Sequence, residues 1–148
     1  MNAASLKAEF LAAARRLAAD RGGTIAIDAG ATRPRDLPRL HREQPGFYWA
    51  PPQQQPVAAL GCAREIRLDG PRRLSGLSAR AGELFPGGPA LSIDQAWAIP
   101  ARAFGGLAFS HESANDELWA EFGSGRFALP RWLLAASPER ACLALVLM

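Results

Sequence analysis

The last eight residues, Ala141-Cys142-Leu143-Ala144-Leu145-Val146-Leu147-Met148, carry no charge and no turn former. The run is too short to span a membrane and fits a sheet strand buried on both faces. Such a strand needs neighbours along its edges. If they come from residues that the chain lacks, the open edge is a template for aggregation or for pairing with another polypeptide. That reading makes the chain incomplete and is the expectation taken forward. The alternative is a terminal strand seated in the middle of a small sheet.

The remaining elements follow from periodicity and punctuation. Leu6, Phe10, Leu11, Ala14, Leu17 and Ala18 recur at helical spacing, with Asn2 or Ser5 as N-cap and Gly22-Gly23 as the stop. Residues 24–27 form a short strand candidate. From Gly30 to Pro56 the prolines 34, 38, 45, 51, 52 and 56 remove donors and restrict their predecessors, so only Phe47-Tyr48-Trp49 is expected to pair there and the rest to be loop.

Residues 56–68 read as one bent strand or two strands meeting near Gly61. Pro71 opens a second helix, with Leu74, Leu77, Ala81, Leu84 and Phe85 on its inner face until Pro86-Gly87-Gly88-Pro89 ends it. Gly76 and Gly82 each cost that helix up to about 1 kcal/mol, so packing must hold it. A loop over residues 93–100 leads to strands at 103–109, 126–135 and 140–147. Pro130 marks an edge, a bulge or a bend in the second of these. Turn-rich links between the late strands predict an α+β fold, an antiparallel sheet flanked by helices. No repeat or composition break divides residues 1–148, which read as a single region.

Composition narrows function by exclusion. A hydrophobic fraction of 49% with 21% charged residues describes a folding chain rather than a disordered one. Lys7, Glu9, Arg15 and Arg16 interrupt the first helix, so it is no signal peptide, and a cytoplasmic location is expected. The net charge is +3, and of the 17 basic residues only Lys7 is a lysine. The arginines are scattered among 14 carboxylates and form no stripe, so neither nucleic acid nor membrane is expected as a partner. Cys62 and Cys142 lie in apolar runs without metal spacing and read as free thiols.

Candidate sites are few. His111, Glu112, Asp116, Glu117 and Glu121 bring carboxylates together, but without the spacing of a calcium loop, and Asn115 stands where a second zinc-binding histidine would be needed. A short helix capped by Asn115 or Asp116, with Trp119 and Phe122 turned inward, explains the segment. Gly105-Gly106 lacks phosphate-loop spacing, Ser124 between two glycines reads as a turn, and His41 stands alone in the proline-rich segment. Trp49, Trp97, Trp119 and Trp132 are read as core area rather than as a ligand groove. No catalytic, cofactor-binding or metal-binding residue is assigned.

Several short motifs nevertheless stand in a familiar order. Phe47-Tyr48-Trp49 resembles the "FYW" strand of the isochorismate synthases, members of the chorismate-utilising enzyme family. Val57-Ala58-Ala59-Leu60-Gly61-Cys62-Ala63 resembles their "A-x-x-G-x-G-A" arm, with Cys62 in place of a glycine. Phe104-Gly105-Gly106-Leu107-Ala108-Phe109 resembles "FGGFAF", Trp119 and Phe122 the "W-x-x-F" pair, and Arg126-Phe127-Ala128-Leu129-Pro130-Arg131-Trp132 the "F-x-L-P-R" strand.

Together the motifs cover about residues 47–147. The resemblance implies the N-terminal part of an α+β enzyme that isomerises chorismate to isochorismate for menaquinone or siderophore synthesis. It further implies a lysine base, a glutamate acid and magnesium-binding glutamates in a C-terminal region that this chain does not contain. Lys7, on an outward helix position, has nothing to tune it as that base. The expectation is therefore a scaffold that is inactive alone, with no cofactor of its own and a catalytic region in cis or in trans as its partner. The alternatives are an interaction module that pairs its last strand with a separate catalytic chain, and an unrelated small α+β ligand-binding protein.

Overall fold

The computed structural model describes residues 2–40, 44–94, 96–97, 99–110, 117 and 120–148. Helix α1 (Ala3–Ala19) opens the chain, capped by the Asn2 side chain, which accepts the Ser5 N–H at 2.8 Å. Strand β1 (Gly23–Gly30) follows, then a single 3-10 turn (Pro34–Asp36) continued by α2 (Leu37–Leu40). Strands β2 (Gly46–Trp49), β3 (Val57–Leu60) and β4 (Arg64–Leu68) precede α3 (Arg73–Arg80), which tightens into 3-10 geometry at Ala81–Leu84. The chain ends with β5 (Ala90–Ser92), β6 (Phe104–Leu107), β7 (Gly125–Leu129), β8 (Trp132–Ala136) and β9 (Ala141–Leu147). The architecture is α+β, as the patterning predicts. Among the described residues no helix is long and apolar enough to cross a membrane.

The strands form two sheets rather than one. The larger has the order β2-β3-β8-β9-β1-β5 and is antiparallel except for the β1–β5 pair; the smaller has the order β4-β7-β6 and is antiparallel throughout. Two strand pairs pass from one sheet into the other at the same place. Leu60 pairs with Trp132 and Arg64 with Leu129, so three residues, Gly61, Cys62 and Ala63, face two, Pro130 and Arg131. One extra residue on one side of a ladder is a β-bulge, and it bends both strands. The ladder survives the bend: Ala63 N–H donates to Leu129 C=O at 2.8 Å and Arg131 N–H to Gly61 C=O at 3.3 Å. Pro130 sits at the corner, where its missing donor removes no ladder bond. Gly61 turns the corner at φ +65°, a conformation that side-chain-bearing residues seldom adopt.

Strand β9 corrects the expectation of an open edge. It lies between β8 and β1, paired with β8 from Ala141 to Leu145 and with β1 along its length. Its apolar sequence is explained by burial on both faces inside this chain. Cys142 and Ala144 join Ala26, Ala59 and Leu133 on one face, and on the other Leu143 packs against the group formed by Leu37, Ala58 and Leu134. The α1 stripe covers the rest of that second face: Leu6, Phe10, Ala13 and Ala14 pack with Leu17, Ile25 and Ile93. Val146 reaches the opposite way and joins Ile66, Leu84 and Leu129, tying the small sheet and the 3-10 end of α3 to the large sheet.

Two smaller expectations are also corrected, and one strand is added. The Gly30–Pro56 segment contains helix, because Pro34 occupies the first position of its 3-10 turn and Pro38 the second of α2, where no N–H is required. Residues 90–92, for which the sequence carries no expectation, pair as β5, which is too short to show alternation. Leu74 is 64% exposed and Phe85 40%, whereas the α3 region is held by Leu77 and Leu84; Leu74 lies a turn before that cluster.

Candidate functional site

The bend that divides the sheets also creates a concave corner. Side chains of the large sheet, Phe47 and Trp49 from β2 and Ala59 from β3, face Phe104 of β6 and Ala128 of β7 across it. The cavity measures about 490 Å³, a volume suited to a small organic molecule. Phe47 and Phe104 meet edge to face with centroids 4.3 Å apart, and Trp49 leans on Phe104 at 6.4 Å. Trp49 remains 53% exposed at the mouth, which corrects the reading of this tryptophan as core. Trp97 and Trp132 do pack against the core, Trp97 beneath the Arg140 guanidinium at 5.2 Å.

Among the described residues, the charged groups lining this corner are Glu65 and Arg126, on neighbouring strands β4 and β7. The Arg126 Nε donates to Glu65 Oε2 at 2.6 Å, and the Arg67 Nε donates to the other oxygen at 2.8 Å. Burial pushes the Glu65 carboxyl up, but the hydrogen bonds from Arg67 and Arg126 outweigh it and hold the group below the usual carboxylate range. Cys62, at the bend, donates its thiol to the Arg64 carbonyl at 3.3 Å. Partial desolvation and, second, the Glu65 carboxylate push that thiol up against the pull of Arg126 and Arg131. The corner therefore holds an ion pair fixed in its charged form and a thiol that resists ionisation. Among the described residues its lining is otherwise mainly apolar and aromatic, and no described group there is placed to exchange protons near neutral pH.

Two expectations follow from these environments. Glu65 is held low, so its contribution to stability is complete above the unfolded carboxylate pKa and is lost as pH falls through the folded value. Glu65→Gln should thus lower stability at neutral pH, with the gap to the parent closing in denaturant titrations repeated toward acid. The pair is partly exposed, Glu65 at 23% and Arg126 at 42%, so added salt should narrow the same gap. The cysteines should separate by reactivity. Burial pushes Cys142 up to about 11, with Asp28 adding to it, whereas Cys62 is exposed. A chromogenic disulfide reagent should titrate one thiol in the folded chain and the second only after unfolding.

The other candidates disperse. Lys7, Glu117 and Glu121 are exposed, and His41, His111, Glu112, Asn115, Asp116 and Trp119 lie outside the described residues. Ser124 is buried, and its hydroxyl accepts the Gly70 N–H at 3.2 Å, fastening one end of the small sheet. Gly105 and Gly106 lie within β6. Among the described residues no group of three His, Cys, Asp or Glu side chains is placed to hold a metal ion. Magnesium, implied by the resemblance, does not fit the corner, because its carboxylate is already engaged by two guanidinium groups. The Glu65–Arg126 pairing was not visible in the sequence, since 61 residues separate the partners; the alternation of Glu65, Ile66 and Arg67 was the available hint that Glu65 turns away from the core.

No curated protein matches the chain. A family model described as chorismate binding enzyme matches residues 34–148, from the first 3-10 turn to the last residue. The match takes in the small sheet, every strand of the large sheet except β1, the bent strand pair and the corner cavity, and it removes the reading of an unrelated binding protein. The chain belongs to the chorismate-binding enzyme family.

Proposed function

We propose that the chain is the scaffold region of an isochorismate synthase, inactive by itself and completed by a catalytic region in cis or in trans. The observation that carries this reading is the chemistry of the corner. Its carboxylate is locked as an anion between Arg67 and Arg126, so it can neither donate a proton to a leaving hydroxyl nor bind a metal. The motifs at Phe47, Phe104 and Arg126 that resemble isochorismate synthases all line this corner, where they shape a wall rather than a reaction centre. The lysine base, glutamate acid and magnesium ligands of the reaction would then come from the catalytic region. Both edges of β9 are occupied, so that region would meet the chain elsewhere, for example along the outer strands β2, β5 or β6. The reading places the reaction in the cytoplasm, feeding menaquinone or siderophore synthesis. Chorismate incubated with the purified chain and magnesium should remain unconverted on chromatography. Isochorismate produced by the chain alone would contradict the proposal.

A further inference from the structure

A second cavity lies at the end of the large sheet remote from the bend. Strands β1, β2 and β8 exit there and β3 and β9 enter. The turn after β1 and the connection from β8 to β9 bound a space of about 400 Å³. Arg33, Arg35 and Arg140 line it with Thr32 and Tyr48, against one carboxylate, Glu139.

These cations differ from the arginines around the small sheet. There, Arg64 and Arg80 donate to the backbone carbonyls of Glu83 and Arg67, and Arg67 and Arg126 pair with Glu65. Arg33 and Arg35 have neither an ion pair nor a side-chain hydrogen bond among the described residues. The Arg140 guanidinium rests over Trp97, a contact that orients the group without consuming an N–H donor. Three arginines against a single carboxylate give the lining of this concavity an excess of positive charge, which a bound anion offsets. Their planar forks match carboxylate and phosphate oxygens, and the half-exposed Tyr48 ring supplies an apolar wall. The charge is confined to a cavity rather than drawn along a face, which favours a small ligand over a nucleic-acid strand.

We propose that this cavity binds a small organic anion carrying at least two carboxylate or phosphate groups. The inference stands apart from the isochorismate reading. Calorimetric titration of the chain at low ionic strength with pyrophosphate, and separately with citrate, tests it. Saturable one-site binding of either probe is expected, weakened at least about tenfold by the double substitution Arg35→Gln with Arg140→Gln, as expected for lost charge-assisted hydrogen bonds. Arg15→Gln, the same charge change on exposed α1, should leave binding unchanged. Preference for pyrophosphate would assign a phosphorylated ligand and preference for citrate a carboxylated one. Saturable binding of neither probe, or equal weakening by Arg15→Gln, would overturn the proposal.

Discussion

Gly105→Val should destabilise the chain by about 3 kcal/mol, the upper range of overpacking penalties, while Gly106→Ala one position on should be tolerated. The contrast comes from what a Cβ would meet. At Gly105 it would fall onto the carbonyl oxygen of Arg126 and lie 2.6 Å from the Phe127 Cα, atoms of the β7 backbone that cannot move without breaking the ladder. At Gly106 it would touch only the ring edge of Phe122, at 3.5 Å, an ordinary contact. Loss of β6 would also remove Phe104 and with it the aromatic wall of the corner cavity. Chemical denaturation of the two variants measures the difference. Equal stability would mean that β6 does not lie against β7 as described. The paired glycines of the family-like FGG motif thus have unequal duties, the first permitting close strand approach.

Leu133→Ala should cost about 2–5 kcal/mol, the range for emptying a leucine site in a core that only partly relaxes. Leu133 is 1% exposed on β8, in the group that includes Ala26, Val57, Ala59 and Ala144. Its neighbours are mostly small, so few side chains can swing into the space. Leu74→Ala provides the comparison. Leu74 is 64% exposed, and truncation there should change stability by less than about 0.5 kcal/mol. Equal losses at the two positions in urea titrations would mean that the α3 face has been misplaced.

Leucine 74 also shows where the sequence stops being informative. Periodicity identifies a helix but not which of its turns meets a partner, and here the partner cluster sits at Leu77 and Leu84. α1 was legible because Leu6, Phe10, Ala14 and Leu17 repeat over four turns and Asn2 has the side chain of a cap. The bend was legible as a set of options, since a proline inside an apolar strand cannot pair on both sides. The division into two sheets was not, because it depends on one extra residue at Gly61–Ala63 opposite Pro130–Arg131, a register visible only once the strands are side by side. The apolar run of β9 marks a buried strand, yet its pairing with β1 and β8 leaves no trace in the run itself. Hydrophobicity states that a strand is buried but not whether β1 or another polypeptide buries it.

The site was the least legible part. Phe47, Phe104 and Arg126 stood out as motif residues, yet nothing in their spacing indicated that the bend turns them toward one cavity. Glu65 acquires its character only from the two guanidinium groups beside it, one of them contributed by a strand that follows α3, β5 and β6. Electrostatic roles that depend on such distant pairings require the fold.

As proposed above, the chain shapes and supports a site whose reacting groups another region supplies. The most direct measurement is isochorismate formation from chorismate and magnesium by the chain, by a separately expressed catalytic region, and by their mixture. Isochorismate in the mixture and in neither component is the predicted result; full activity of the catalytic region without the chain, or activity of the chain alone, would contradict it.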